Sequence, residues 1–263
     1  MDRKSLDKYL SIAEEAAVAA GKYLSGYKKD DILVDSEQGK DIKISADRDS
    51  EKIIIDILQA KSGFPILSEE KGSIGDTESS PMRWVVDPLD GSLNFLRGIP
   101  NCCVSVALCR KDNPELGVIY DFNRDELFSG IAGTGAWLNG SAIAVSKINA
   151  ESKAVLFTGF PANTDFSPGA LSNYIERIRT FKKLRWIGSA SLSLAYVAAG
   201  RADAYLEKGI MFWDIAAGLA IVSGAGGKYF LDGTDVHDAY NVCATNSSLP
   251  GVLSKYGQET RRQ

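Results

Sequence analysis

Apolar residues recur at three-and-four spacing from the start of the chain, at Leu6, Leu10, Ala13, Ala17, Ala20 and Leu24. That period predicts an amphipathic helix ending near Gly26. Lys40-Asp-Ile-Lys-Ile-Ser-Ala-Asp47 alternates apolar and polar as a strand does, and a second helix is predicted through Ile53, Ile54, Ile57 and Leu58. From Trp84 to Trp137 the pattern is mostly strand: Val104 to Leu108, Gly117 to Tyr120 and Glu126 to Ile131, followed by the glycine-rich Ala132 to Gly140. These segments predict an antiparallel meander. A second region opens near Ser146 and alternates a strand at Ala154 to Thr158, a helix around Ser172 to Phe181, then Ala190 to Ala199, Asp214 to Gly224 and a final Lys228 to Leu231. The expected architecture is layered α/β, an α+β half over residues 1–146 joined to an α/β half over 147–263. No internal repeat and no linker rich in Pro or Gly interrupts it.

With 263 residues, 44% of them hydrophobic and 24% charged, the chain can bury one large core or two smaller ones. A formal net charge of −4 gives no electrostatic drive toward nucleic acid or an acidic membrane, so neither is an expected partner. An anionic substrate would need local positive charge. Cys102, Cys103, Cys109 and Cys243 lack zinc-type spacing, and three of them fall in one apolar run, which suits buried thiols in a reducing compartment. The N-terminus lacks the apolar core of a signal peptide and no stretch has the length of a membrane span, so a cytoplasmic location is expected. The one histidine, His237, sits in a turn-like segment; it is either a loop residue or the base of a triad with no nucleophile motif beside it. The chemistry therefore falls to carboxylates, hydroxyls, lysines and metals.

In Trp84-Val-Val-Asp87-Pro-Leu-Asp90-Gly-Ser92-Leu-Asn94-Phe95, two carboxylates stand three residues apart between an apolar strand and a helix start. Pro88 stiffens the turn and Gly91 lets backbone approach a ligand closely. The amides after Gly91 would then face outward as donors suited to a phosphate. An acidic turn closed by its own side-chain hydrogen bonds is the other reading. Two distant segments favour a site. Ser68-Glu69-Glu70 follows an apolar run, with Glu69 18 residues before Asp87, and Phe212-Trp213-Asp214-Ile-Ala-Ala-Gly218 wedges an aspartate among apolar neighbours. Such a charge needs compensation, by a metal or by capping the helix it opens.

These three motifs, with the weaker Gly117-Val-Ile-Tyr120, Gly135-Ala-Trp-Leu-Asn-Gly140 and Thr158-Gly-Phe-Pro161, resemble in content and order the Mg2+-dependent, lithium-sensitive inositol monophosphatase family. The resemblance covers nearly the whole chain. It implies the layered αβαβα fold of inositol monophosphatase and fructose-1,6-bisphosphatase, commonly as a homodimer. It also implies two or three Mg2+ ions per site: Glu69, Asp87 and the carbonyl of Leu89 would hold one, and Asp87, Asp90 and Asp214 a second. Oxygen ligands suit Mg2+, and paired ions can clamp attacking and leaving oxygens in line. The implied mechanism is direct attack by metal-activated water. Glu69 and Ser92 would orient that water, Asp47 would polarise the Ser92 hydroxyl, and the amides of Gly91 and Ser92 would hold the phosphate. Ser92 stands where the family usually has Thr, which keeps the hydroxyl. For the lysine that many members place shortly before Asp47, the nearest candidate is Lys40, with a solvated lysine as the alternative.

The implied substrate is a small phosphorylated metabolite, inositol monophosphate first. Fructose 1,6-bisphosphate, histidinol phosphate and 3′-phosphoadenosine 5′-phosphate stay open, because relatives acting on them share the site. Leu93-Asn94-Phe95 is similar to the inositol monophosphatase version. Glu207 falls where those enzymes accept hydrogen bonds from sugar hydroxyls, an exposed strand-end glutamate being the alternative. Gly188, Ser189 and Ala190 match another wall of that pocket. Arg177, Arg179, Lys182, Lys183 and Arg185 either grip a second phosphate or form a solvated face. A non-catalytic regulatory binding protein on the same fold is the reading from another class; clustered carboxylates repel one another without metal, which argues against it.

Overall fold

The protein is described by a computed structural model covering residues 1–28, 32–38, 41–160 and 164–260. Helix α1 (Arg3–Ser25) starts at Asp2, whose carboxylate accepts the Ser5 amide at 2.8 Å, and stops at Gly26. Its buried face includes all six predicted positions. A hairpin of β1 (Val34–Gln38) and β2 (Asp41–Ile44) leads into α2 (Ser45–Lys61). The predicted strand thus ends at Ile44, short of Asp47. Asp47 Oδ2 accepts the Ile44 amide at 2.7 Å and closes the first turn of α2, so local capping overrides the alternation.

The chain continues through β3 (Ile66–Ser68), β4 (Gly72–Ile74), β5 (Arg83–Asp90), α3 (Ser92–Arg97), β6 (Cys103–Arg110), β7 (Asn113–Asp121), β8 (Glu126–Ile131), β9 (Gly135–Leu138) and β10 (Ser141–Ala142). These strands form an eight-stranded sheet ordered β10-β9-β8-β7-β6-β5-β3-β4. The expected antiparallel meander runs from β5 to β10, and β3 joins β5 in parallel.

The rest comprises β11 (Val155–Thr158), α4 (Pro168–Ile178), β12 (Lys183–Arg185), α5 (Ala190–Ala198), β13 (Ala204–Met211), α6 (Phe212–Gly224), β14 (Lys228–Gly233), β15 (Ala239–Thr245) and α7 (Pro250–Thr260). Its sheet is ordered β12-β11-β13-β15-β14, parallel around β11 and antiparallel around β15. Lys228 to Leu231 is therefore not the last element, and β12, β13, β15 and α7 escaped the sequence reading. In β13, Glu207, Lys208 and Gly209 break the apolar run. In β15, Asn241 and Thr245 interrupt the apolar pattern.

Five layers result. Helices α1 and α2 cover one face of the large sheet through Leu24, Ile54 and Leu58 against Trp84, Val104 and Leu108. Helices α5 and α6 fill the space between the sheets, with Leu192, Ile215, Phe128 and Tyr205 in one cluster. Helices α4 and α7 close the outer face of the second sheet through Ile178 and Val252 over Leu156 and Leu206. This is the expected αβαβα order. Helix α6 rests directly on strand backbone, since a Cβ on Gly117 would overlap the backbone of Ala217 and one on Gly130 would come within 2.8 Å of Ile221 Cα. Among the described residues no helix is long and apolar enough to cross a membrane.

Candidate active site

All eight residues of β5 are buried, and its C-terminal end carries Asp87 and Asp90. Residues three apart on a regular strand point to opposite faces. Here the pairing with β6 slips between Asp87 and Asp90, opposite Ser105 and Cys103 respectively, and this bulge brings both carboxylates to one side. Pro88 has no amide to lose there, and Asp87 Oδ1 accepts the Leu89 amide at 3.0 Å. Asp214 comes from the first turn of α6, two residues inside the helix; the N-cap is Met211, so the capping role open to Asp214 is not the one it takes. One oxygen from each of Asp87, Asp90 and Asp214 lies within 4.8 Å of the others. Glu69, in the turn after β3, hydrogen-bonds to Asp87. Two carboxyls meet this way only by sharing a proton or a cation.

Burial first, then repulsion from Glu69 and Asp90, pushes the Asp87 carboxyl well above its ordinary value. Asp214 is raised for the same reasons. Glu69 is raised to about 8 by burial and by the neighbouring Asp47. Asp90 reaches only about 6, because burial is opposed by donors: Ser189 Oγ at 2.6 Å and the Ser191 amide at 2.7 Å, both to Oδ2, and the Ala190 amide. Four carboxyls that resist ionising together, offering only hard oxygen donors, fit a site for Mg2+.

Beside this cluster, the Ser92 hydroxyl lies 2.8 Å from Asp47 Oδ1 and 3.0 Å from the Leu89 carbonyl. Burial raises Asp47 to about 7, against the opposing bonds from Ile44 and Ser92. Gly91 precedes α3 at φ +93°, and a Cβ there would stand 2.8 Å from the Asn101 carbonyl oxygen, so glycine is required on both counts. Asn94 Nδ2 donates to the carbonyls of Asn101 and Ile187, at 2.8 and 2.7 Å, and so ties α3 to the segment entering α5.

Glu207 is not an exposed strand-end residue. It is 8% exposed on β13, accepts the Tyr205 hydroxyl at 2.6 Å, and is raised to about 7 by burial. It lines a cleft of about 520 Å³ beside α4, together with Gly159, Tyr174, Arg177 and Asn241. Gly188, Ser189 and Ala190 lead into α5, and Ser189 and Ala190 hold Asp90, a task the sequence reading did not assign them. The basic run is dispersed over the end of α4, the following turn and β12; Arg179 pairs with Glu176 at 2.6 Å, and Lys182, Lys183 and Arg185 are exposed. Exposed His237 pairs with Asp238 at 2.8 Å. Lys40 and Pro161 lie outside the described residues.

Two further residues went unnoticed in the sequence. Glu51 is fully buried one turn after Asp47 and accepts Ser68 Oγ at 2.6 Å and the Lys71 amide at 2.9 Å, which braces the turn bearing Glu69. A glutamate on the apolar side of α2 was the available signal. Lys43 Nζ lies 3.0 Å from Glu70 Oε2, and its charge lowers the pKa of both Asp47 and Glu69.

Residues 5–257 match the inositol monophosphatase family. The chain is 39% identical to the inositol-1-monophosphatase of Synechocystis sp., over 95% of this chain and 88% of that protein. It is 37% identical to the Nus factor SuhB of Escherichia coli, over 92% and 90%. The structure of inositol monophosphatase from Anabaena superposes with a TM-score of 0.84 at 37% identity, covering 97% of each chain. From these matches and the fold they share, the chain belongs to the inositol monophosphatase family and is a phosphoric monoester hydrolase.

Proposed function

We propose that the protein is a Mg2+-dependent phosphatase of a small phosphorylated metabolite, inositol monophosphate first. The observation that carries this reading is the convergence of Asp87, Asp90 and Asp214 within 4.8 Å, with Glu69 bonded to Asp87. Glu69, Asp87, Asp90, Asp214 and the Leu89 carbonyl would hold two or three Mg2+ ions. When bound, Mg2+ neutralises the phosphoryl oxygens and acidifies water for in-line attack. The protein's own groups do the rest. The Ser92 hydroxyl keeps its proton, donating a hydrogen bond to Asp47, and accepts a hydrogen bond from the attacking water, while the Glu69 carboxylate accepts the proton that the water gives up. The amides of Gly91 and Ser92 receive the phosphate. Glu207, with Gly188, Ser189 and Ala190, faces the alcohol; Lys40 is a further candidate for the phosphate.

The same reading includes inhibition by lithium, a homodimer and a cytoplasmic location, the last supported by four buried free thiols that suit a reducing compartment. Phosphate release is the test, with Mg2+ and then a chelator, from inositol 1-phosphate, fructose 1,6-bisphosphate, histidinol phosphate and 3′-phosphoadenosine 5′-phosphate. Release that needs metal and is lost in Asp87→Asn supports the mechanism, and the best ester identifies the substrate. A second reading, a non-catalytic binding protein, is favoured by the Nus factor name of relatives such as that of Escherichia coli. Absence of release from every ester would select it.

A further inference from the structure

Arg83 stands four residues before Asp87 on β5, on the strand face it shares with Val85 and Asp87, and is 6% exposed. A buried guanidinium needs acidic partners. Its Nη2 donates to Asp112 at 3.0 Å, in the turn between β6 and β7, and lies 3.8 Å from Asp238 Oδ1, just before β15. Its carbon sits 5.8 Å from the ring centre of Phe212, the first residue of α6. The Tyr240 ring packs against the same phenylalanine, 5.3 Å between centres, and its hydroxyl bonds to Asp112. The Phe212 amide donates to the Asp238 carbonyl at 2.8 Å. Phe212 is thus gripped by Arg83 and by two groups tied to the partners of Arg83. The grip matters because Met211, the N-cap, offers no side-chain acceptor to the first turn of α6, and Asp214 lies in that turn.

We propose that Arg83 is a positioning residue for the acidic centre. By fastening Phe212 and Asp238 to the strand that carries Asp87, it sets the Asp214 carboxylate at its station opposite Asp87 and Asp90. The inference rests on the reading of those carboxylates as a Mg2+ site. A guanidinium suits the task because its charged plane stands over the Phe212 ring while its Nη2 reaches both acidic loops.

Titration calorimetry of Mg2+ on the wild-type protein, Arg83→Met and Asp238→Asn tests this, alongside substrate KM at saturating Mg2+ and the metal-free melting temperature. Both variants should bind Mg2+ about tenfold more weakly, with substrate KM changed less than about twofold. Asp238→Asn preserves side-chain volume and the carbonyl that holds Phe212, and it carries the test should Arg83→Met fail to fold. A lowered melting temperature with unchanged Mg2+ affinity overturns the proposal and leaves Arg83 as a core ion pair. Wild-type protein that binds no Mg2+ overturns the metal reading itself, an outcome visible without any variant.

Discussion

The Ser92 hydroxyl stands 2.8 Å from Asp47 Oδ1, joining two residues 45 apart in the chain at the rim of the acidic cluster. A hydroxyl that donates to a carboxylate keeps its lone pairs for a second partner. Ser92→Ala should therefore fold normally and lose about 100-fold in kcat. Ser92→Thr, which keeps the hydroxyl, should stay within about tenfold of the parent by the same argument. Steady-state phosphate release at saturating Mg2+ measures both, and equal activity in the alanine variant would remove Ser92 from the mechanism.

Asp87→Asn should abolish turnover and yet stabilise the metal-free protein. The substitution keeps the oxygen that accepts the Leu89 amide and replaces a buried carboxyl, whose ionisation is opposed by burial and by its acidic neighbours, with a neutral amide. A relief of about 1 kcal/mol raises the melting temperature by about 2–4 °C in a chain of this size. Thermal melts in a chelator give the answer, and a lower melting temperature would show that the carboxylates are not in conflict.

The pH dependence of stability follows from the raised carboxyls. Asp90 at about 6, Asp47 at about 7 and Glu69 at about 8 all lie above their ordinary values near 4, so between about pH 4 and 8 the folded state binds more protons than the unfolded chain. The contribution of these groups is fully present below that window and is lost as pH rises through it. Mg2+ binds the ionised carboxylates, so its stabilising effect should be small at pH 5 and large at pH 8. Melts across this range with Mg2+ and with chelator check it; an equal shift at both ends would count against the metal site.

Glu207→Gln should narrow discrimination among alcohols. Glu207 accepts the Tyr205 hydroxyl at 2.6 Å and is the carboxylate that would accept a polyol hydroxyl as well. Losing a charged acceptor should lower kcat/KM for inositol 1-phosphate about tenfold and leave p-nitrophenyl phosphate, which has no such hydroxyl, nearly unchanged. Equal losses on both esters would remove the contact.

Helix α1 was legible because one face meets the core and leaves a period, and the meander because its strands, buried on both faces, read as short continuous apolar runs bounded by turns. Strand β13 was not, since Glu207, Lys208 and Gly209 break its apolar run in the middle. The acidic residues of the centre could be picked out from the three motifs, yet the groups that hold Asp90 could not. Ser189 and Ser191 lie 99 and 101 residues beyond it, and nothing local marks a serine as the partner of a distant aspartate. Glu51 was hidden for a similar reason: its bond to Ser68 exists only once α2 packs against the turn after β3.

Gly117 and Gly130 bring the backbone of α6 directly onto two strands, leaving no side-chain layer between them to slide or hop rotamers. The amides in the middle of α6 should therefore exchange with solvent deuterium only when the whole molecule opens, among the slowest in the chain. Asp214 is thus anchored at one end of a nearly static element.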